Sequence, residues 1–221
     1  MNYLISKFFD EDQLERIKID LLNAEWRDGL ESYTPHPWCD GHSIKNNLQT
    51  HLSDTSILYE GMDCNDAFLD FTLAKSTNEP LITKTKAGGF YKCHYDFWKN
   101  GHFSTTIFLN DPNTYEGGEL CLLIRGKEER FKLHAGWGIT YDTGTPHMVA
   151  EVKSGVRDAV VYWTCSSVPD EEDRNKVRYY TMMSKKHEMN SPCSCDNLIE
   201  FSEDLCTHFR EKAYKIRRKY I

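Results

Sequence analysis

The run "LITKTKAGGFYKCHYDFW", Leu81 to Trp98, decides how this chain is read. It is β-rich, punctuated by Gly88 and Gly89, and sets His94 and Asp96 two positions apart among aromatic residues. On a strand, side chains alternate between faces, so these two point the same way. If that way is inward, an imidazole nitrogen and a carboxylate oxygen converge on one point.

Further short β-rich runs follow: "HFSTTIFLND", "GGELCLLI", "ERFKLHAGWGITYD", "PHMVAEV" and "DAVVYWTCSS", separated by Gly, Asn, Asp and Pro. Strands at this spacing without intervening helices predict a β-sandwich or barrel. Upstream, "DEDQLERIKIDLLNAEW" carries Leu14, Ile17, Ile19, Leu21 and Leu22 near helical spacing, with Asp10 as cap. A loop is expected from Asp28 to Ser43, then helices over Ile44–Leu58 and Asn65–Ala74. After Pro169 the chain turns polar and helical through "EEDRNKVRYYTMMSKKH", and an amphipathic helix is expected over Asn197–Lys219. The prediction is one structural domain: helical support over residues 1–80, a β core over 81–168 and a C-terminal helical extension over 169–221.

At 221 residues the chain suits one domain, burying roughly 70% of its unfolded surface without need of disulfides. No basic start leads into a long apolar run, so no secretory signal is expected. No stretch reaches ~18 uninterrupted apolar residues, so no membrane span is expected. Of the eight cysteines five are dispersed, at 39, 64, 93, 121 and 165, and three bunch at 193, 195 and 206; without a signal peptide this reads as reduced thiols in the cytoplasm. A net charge of −7 argues against nucleic acid as a general partner. The tail "REKAYKIRRKYI" holds six basic residues and one acid, as expected of a solvated helix end.

A third ligand for the His94–Asp96 pair must come from a distant strand. "YDTGTPHMVAEV" offers His147, just past a Gly-Thr-Pro turn. Two histidines and one carboxylate on one face of an octahedron leave three positions open, the pattern of non-haem Fe(II) oxygenases. Zinc sites more often close tetrahedrally or keep one open position. Use of 2-oxoglutarate also needs a cation for the cosubstrate's far carboxylate. Arg157, ten residues after His147, supplies a fork that holds a carboxylate bidentately. Alone it is an ordinary arginine beside Asp158; Lys153 is the nearest alternative.

Over Leu81–Val168 the chain resembles the Fe(II)/2-oxoglutarate dioxygenases. The pieces that carry the likeness are "GGFYKCHYD", "FSTTIFLNDPNTYEGGEL" and "HAGWGITYDTGTPHMVAEVKSGVRDAVVYW". Within the superfamily it most resembles the prolyl 4-hydroxylase and bacterial PKHD-type hydroxylases. The resemblance implies a double-stranded β-helix (jelly-roll) core, mainly β with flanking helices. It implies Fe(II) held by His94, Asp96 and His147, and 2-oxoglutarate anchored by Arg157, with Tyr91 lining the pocket and Thr106 as a hydroxyl donor. O₂ is the second cosubstrate and ascorbate the candidate reductant. The implied reaction hydroxylates an unactivated C–H bond and releases succinate and CO₂. A prolyl residue in a protein or peptide is the first substrate class; free amino acids and other small molecules come next. Many relatives carry a tyrosine nine residues before the first iron histidine where this chain has Thr85, so Tyr91 or Thr106 is expected in its place. Trp163 packs the back of the pocket or touches ligand.

Gly117 and Gly118 permit a tight turn or bulge as the chain re-enters the sheet, and Glu119 caps a loop or touches substrate. A structural zinc site from Cys193, Cys195, Cys206 and His208 is disfavoured because residues two apart on a helix diverge. His36, His42, His51, His102, His134 and His187 read as surface or packing residues. A non-catalytic jelly-roll binding protein, or a cupin-like zinc or manganese enzyme, are the rival classes. The first would show a lost ligand or anchor, and none is missing.

Overall fold

The computed structural model describes residues 2–33, 40–96, 98–189 and 196–221. A strand, β1 (Tyr3–Lys7), precedes α1 (Glu11–Leu22). Asp10 caps α1 as predicted: its carboxylate accepts from the Gln13 amide at 2.8 Å, and the Gln13 side chain accepts from the Asp10 amide at 3.0 Å. This reciprocal pair satisfies two donors that a helix start leaves free. Leu14, Ile17 and Leu21 are buried while Ile19 and Leu22 face solvent.

Next come β2 (Arg27–Asp28), β3 (Lys45–Asn46), β4 (Leu48–Thr50), α2 (Ser56–Asp63), α3 (Asp66–Thr72) and β5 (Ala74–Thr77). The helix expected over Ile44–Leu58 is a correction: most of it is β3, β4 and a loop, and only Ser56–Leu58 is helical. Its Asn and Thr residues are weak helix formers, and both short strands find distant partners, β3 on β7 and β4 between β6 and β2, which local periodicity does not report. Residues 1–80 therefore supply strands as well as helices. The helix over Asn65–Ala74 is found as α3, with Asn65 capping it.

The core strands are β6 (Leu81–Lys86), β7 (Phe90–His94), β8 (Phe103–Phe108), β9 (Glu116–Gly117), β10 (Leu120–Ile124), β11 (Lys127–Phe131), β12 (Trp137–Asp142), β13 (His147–Val149), β14 (Val152–Ser154) and β15 (Val156–Ser166). The larger sheet runs β1-β12-β8-β15-β6-β4-β2, with β5 also on β15, and the smaller runs β11-β10-β13-β7-β3. The two sheets pack face to face as a jelly roll over Phe108, Leu120, Leu122, Phe131, Ile139 and Tyr141.

The larger sheet is covered on both sides, so β8 is buried at every position. Its outward Ile107, with Ile82, Val160 and Tyr162 of neighbouring strands, packs on Phe9, Leu14, Ile17, Leu58 and Phe68. Its inward positions, together with those of β6 and β15, are freed to carry polar groups into the space between the sheets. The Tyr162 hydroxyl donates to the Leu58 carbonyl at 2.7 Å, tying α2 to β15. The last two helices, α4 (Glu171–Met189) and α5 (Asp196–Arg217), form a hairpin. It seats Val177 and Ala213 on Leu73 and Val168, and Asp173 accepts from Lys219 and Tyr220.

Candidate active site

Register brings the two histidines together. On the smaller sheet β13 pairs with β7 so that His147 stands opposite His94, with ring centroids 4.2 Å apart. Asp96 lies two residues beyond His94, where β7 has already ended. Ladder hydrogen bonds therefore do not fix it; the opposite sheet does. Ser104 of β8 and Trp163 of β15 both donate to its Oδ2, at 2.7 and 2.9 Å. Trp163 thus bonds Asp96, a partner the sequence reading did not name for it, and Ser104 was not singled out there.

His94 Nδ1 donates to the Lys92 carbonyl at 2.8 Å and His147 Nδ1 to the Thr145 carbonyl at 2.9 Å. Each ring is thereby fixed in the tautomer with a lone pair on Nε2. Those lone pairs face the carboxylate, His94 Nε2 at 3.8 Å from Oδ1 and His147 Nε2 at 3.7 Å from Oδ2. These gaps are too wide for hydrogen bonds but suit ligands of one ion bonded at roughly 2.0–2.2 Å to each. Burial, then the neighbouring His147, pushes His94 down to about 4, so at neutral pH its ring is uncharged, the form that ligates metal. Among the described residues this is the one cluster of three such groups with donor atoms within 4.8 Å of one another.

The cluster opens on a cavity of about 810 Å³. Arg157, 2% exposed, lines it from the start of β15, opposite Thr85 of β6. Its guanidinium carbon stands 5.1 Å from the centre of the Phe108 ring, and among the described residues its Nε and Nη2 have no hydrogen-bond partner. A buried guanidinium with donors unpaired carries a desolvation cost that an arriving carboxylate would offset. Burial lowers the pKa of this arginine, yet guanidinium stays charged. The donor set and the orphaned cation therefore fit an Fe(II)/2-oxoglutarate pair. Gly118, with φ +68, makes room for this arginine: a Cβ there would meet Arg157 Cδ at 3.1 Å.

Tyr91 stacks on His94 with centroids 3.6 Å apart and 19° between planes, and burial holds its phenol protonated. Thr106 lines the cavity, as does Tyr141, which was not expected there; the Tyr141 hydroxyl interacts with Thr106. Thr85 is buried in the same wall. Lys45 of β3 lines the other side, 4% exposed, and burial pushes its amine down to about 8. Lys153 is mostly exposed and pairs with Glu116, and neither it nor Glu119 lines the cavity. Gly117 and Gly118 both adopt positive φ, as a tight turn requires.

His42, His51 and His134 sit beside Asp28, Glu79 and Asp111, and His102 accepts from the Ser166 amide; of these, His51 also reaches the cavity mouth. Cys206 is buried against Ser184 while His208 faces solvent, two residues on along α5. Cys193, Cys195 and His36, and the His187 side chain, lie outside the described residues. Cys64, Cys93, Cys121, Cys165 and Cys206 are free thiols. No helix among the described residues is long and apolar enough to cross a membrane.

Residues 80–165 match the family model of the 2OG-Fe(II) oxygenase superfamily. A PKHD-type hydroxylase of Prochlorococcus marinus (strain NATL1A) is 33% identical over 187 residues, covering 79% of this chain and 83% of that protein. One of Gluconacetobacter diazotrophicus is 32% identical over 170 residues, covering 70% and 73%. Among solved structures, a Pseudomonas putida prolyl-4-hydroxylase superposes with a TM-score of 0.59 at 16% identity, over 74% of this chain and 92% of that one. A Trichoplax adhaerens prolyl hydroxylase, solved with a hypoxia inducible factor oxygen degradation domain peptide fragment, gives 0.58 at 14%, over 79% and 86%. The structural likenesses carry the fold, and the identities carry the kinship: this chain belongs to the 2OG-Fe(II) oxygenase superfamily, among its PKHD-type hydroxylases.

Proposed function

We propose that His94, Asp96 and His147 hold Fe(II), that Arg157 anchors 2-oxoglutarate, and that the enzyme hydroxylates a prolyl residue in a protein or peptide. One observation carries this: three converging ligand atoms and a buried, partly unpaired guanidinium share one cavity. When bound, the iron and cosubstrate supply the oxidising chemistry, converting 2-oxoglutarate and O₂ to succinate and CO₂ while oxygen enters a C–H bond.

The chain's own residues do the rest. Arg157 offers Nε and Nη2 to the far carboxylate, and Thr106 and Tyr141 present hydroxyls to the same cosubstrate. Tyr91 packs flat on His94 and keeps that ring from turning. Ser104 and Trp163 hold one oxygen of Asp96, leaving the other for metal. Leu120, Val149 and Val161 give the wall an apolar surface that excludes water. The larger substrate enters on the side lined by the exposed Glu31 and Glu79; that the Trichoplax prolyl hydroxylase was solved with a peptide fragment supports a peptide as the substrate class. The dispersed free thiols fit a cytoplasmic setting.

Succinate release is the test. Purified protein with Fe(II), ascorbate and 2-oxoglutarate is offered a library of proline-containing peptides, and products are read by mass. A gain of one oxygen on proline, matched by succinate, supports the reading. Iron-loaded protein that binds 2-oxoglutarate yet oxidises no peptide moves the substrate to the second class, free amino acids and other small molecules. Absence of 2-oxoglutarate binding ends the oxygenase reading and favours a jelly-roll binding protein.

A further inference from the structure

The cavity holds two buried cations, and the cosubstrate accounts for one. Lys45 sits on β3, the edge strand of the smaller sheet, directly opposite Tyr91 in register. Its amine lies 5.0 Å from the Tyr91 ring centre, and Tyr91 stacks on His94. Arg157 stands on the larger sheet, so the two charges approach the ligand cluster from different walls.

The surroundings of Lys45 are donor-rich. Its amine donates to Ser32 Oγ at 2.8 Å and, among the described residues, forms no ion pair. The Ser32 hydroxyl donates to Gln49 Oε1 at 2.6 Å, with the Gly29 carbonyl 3.2 Å away as a longer, second acceptor. With that oxygen engaged, the free half of the buried Gln49 side chain is its NH₂, which only donates. A lysine that is 4% exposed, with one neutral hydroxyl for three N–H groups, carries a desolvation cost that an arriving anion would further offset. The charges of Asp96 and Asp28 favour the protonated amine without forming an ion pair with it, whereas Glu31 and Glu79 line the cavity but are exposed, and water screens them.

We propose that Lys45, braced by Ser32 and Gln49, binds a carboxylate of the primary substrate, so that this enzyme acts next to an acidic group. The inference rests on the oxygenase reading above and narrows its substrate class. The shared chemistry is a carboxylate near the oxidised carbon. It is either the α-carboxylate of an amino acid or C-terminal residue, or an Asp or Glu side chain in a peptide.

The test uses full-length protein loaded with Mn(II) and saturating 2-oxoglutarate, with Kd and paramagnetic line broadening of each probe measured by NMR. One arm sets the N-acetyl amino acids, N-acetylproline included, against their amides. The other sets blocked tripeptides with Glu or Asp beside a central proline against their Gln or Asn counterparts. Wild type should favour the carboxylate at least tenfold in one or more pairs, and the arm that responds names the source. K45M should lose that preference while 2-oxoglutarate affinity is unchanged, and K45R should keep part of it; K45Q replaces K45M if the latter does not fold. Equal binding of acid and amide in every pair overturns the proposal, as does a preference that survives in K45M. Failure of the oxygenase reading looks different: wild type then retains neither Mn(II) nor 2-oxoglutarate before any probe is added, and the proposal falls with it.

Discussion

Replacing Ser104 by alanine deletes one oxygen, is nearly isosteric, and strikes the support of Asp96, the proposed acidic ligand, without altering that residue. Ser104 is fully buried, and its hydroxyl donates to Asp96 Oδ2 at 2.7 Å, the oxygen that Trp163 also holds at 2.9 Å. A hydrogen bond to a charged group contributes roughly 1.5–3 kcal/mol, and loss of a group that orients a ligand typically weakens metal binding by about 10–100-fold. Because Asp96 lies past the end of β7, these two donors stand in for a ladder. Ser104→Ala should therefore weaken Mn(II) binding, read by fluorescence or relaxation titration, by about 10–100-fold, and lower the stability of the apoprotein by roughly 1.5–3 kcal/mol without unfolding it. Trp163→Phe should do likewise. The double variant should lose less than the product of the two, or far more, since both bonds share one oxygen and such pairs couple. Metal affinity unchanged in Ser104→Ala, with Asp96→Ala abolishing it, would refute the claim that the larger sheet positions this carboxylate.

Other outcomes are expected from the same geometry. His94→Ala and Asp96→Ala should each abolish succinate formation while the far-UV circular dichroism stays that of wild type. Arg157→Met should raise the 2-oxoglutarate requirement roughly 30-fold or more, since loss of a buried charged partner costs about 2 kcal/mol or above; an unchanged KM removes Arg157 from that role. Gly118→Ala, at φ +68 and against Arg157 Cδ, should cost about 1–2 kcal/mol of stability and weaken 2-oxoglutarate binding as well. The apoprotein should lose stability as pH falls from about 6.5 to about 4. His94 stays neutral in the fold until about 4, whereas the unfolded chain takes up that proton near 6.5, so acid favours unfolding by on the order of 2–3 kcal/mol. Denaturant titrations of wild type and His94→Asn across that window check it; equal slopes would contradict it.

Local pattern carried a good deal of this. The spacing of His94 and Asp96 pointed to a converging pair, although β7 ends at His94 and the opposite sheet holds Asp96, and the two glycines of "GGEL" announced the turn that the backbone makes. Asp10 and Asn65 announced their caps, because a cap is a contact within three residues. The segment Ile44–Leu58 resisted the same treatment. Whether "KN" and "LQT" form strands depends on β7 and β6, which lie more than thirty positions onward, and a helical spacing of apolar residues says nothing about an available edge.

The amino-acid sequence by itself named the candidate ligand set and the candidate cosubstrate cation, because metal and carboxylate chemistry admit few residue types and His94, Asp96, His147 and Arg157 are those types at telling intervals. Only the tertiary structure decided what steadies and what surrounds them. Ser104, Tyr141 and Lys45 are commonplace residues without a motif, and Trp163 reaches Asp96 from 67 residues away. Their roles come from register and sheet packing, since a hydrogen bond of 2.7 Å requires two strands to be aligned to within a fraction of one residue, and no local preference specifies that alignment.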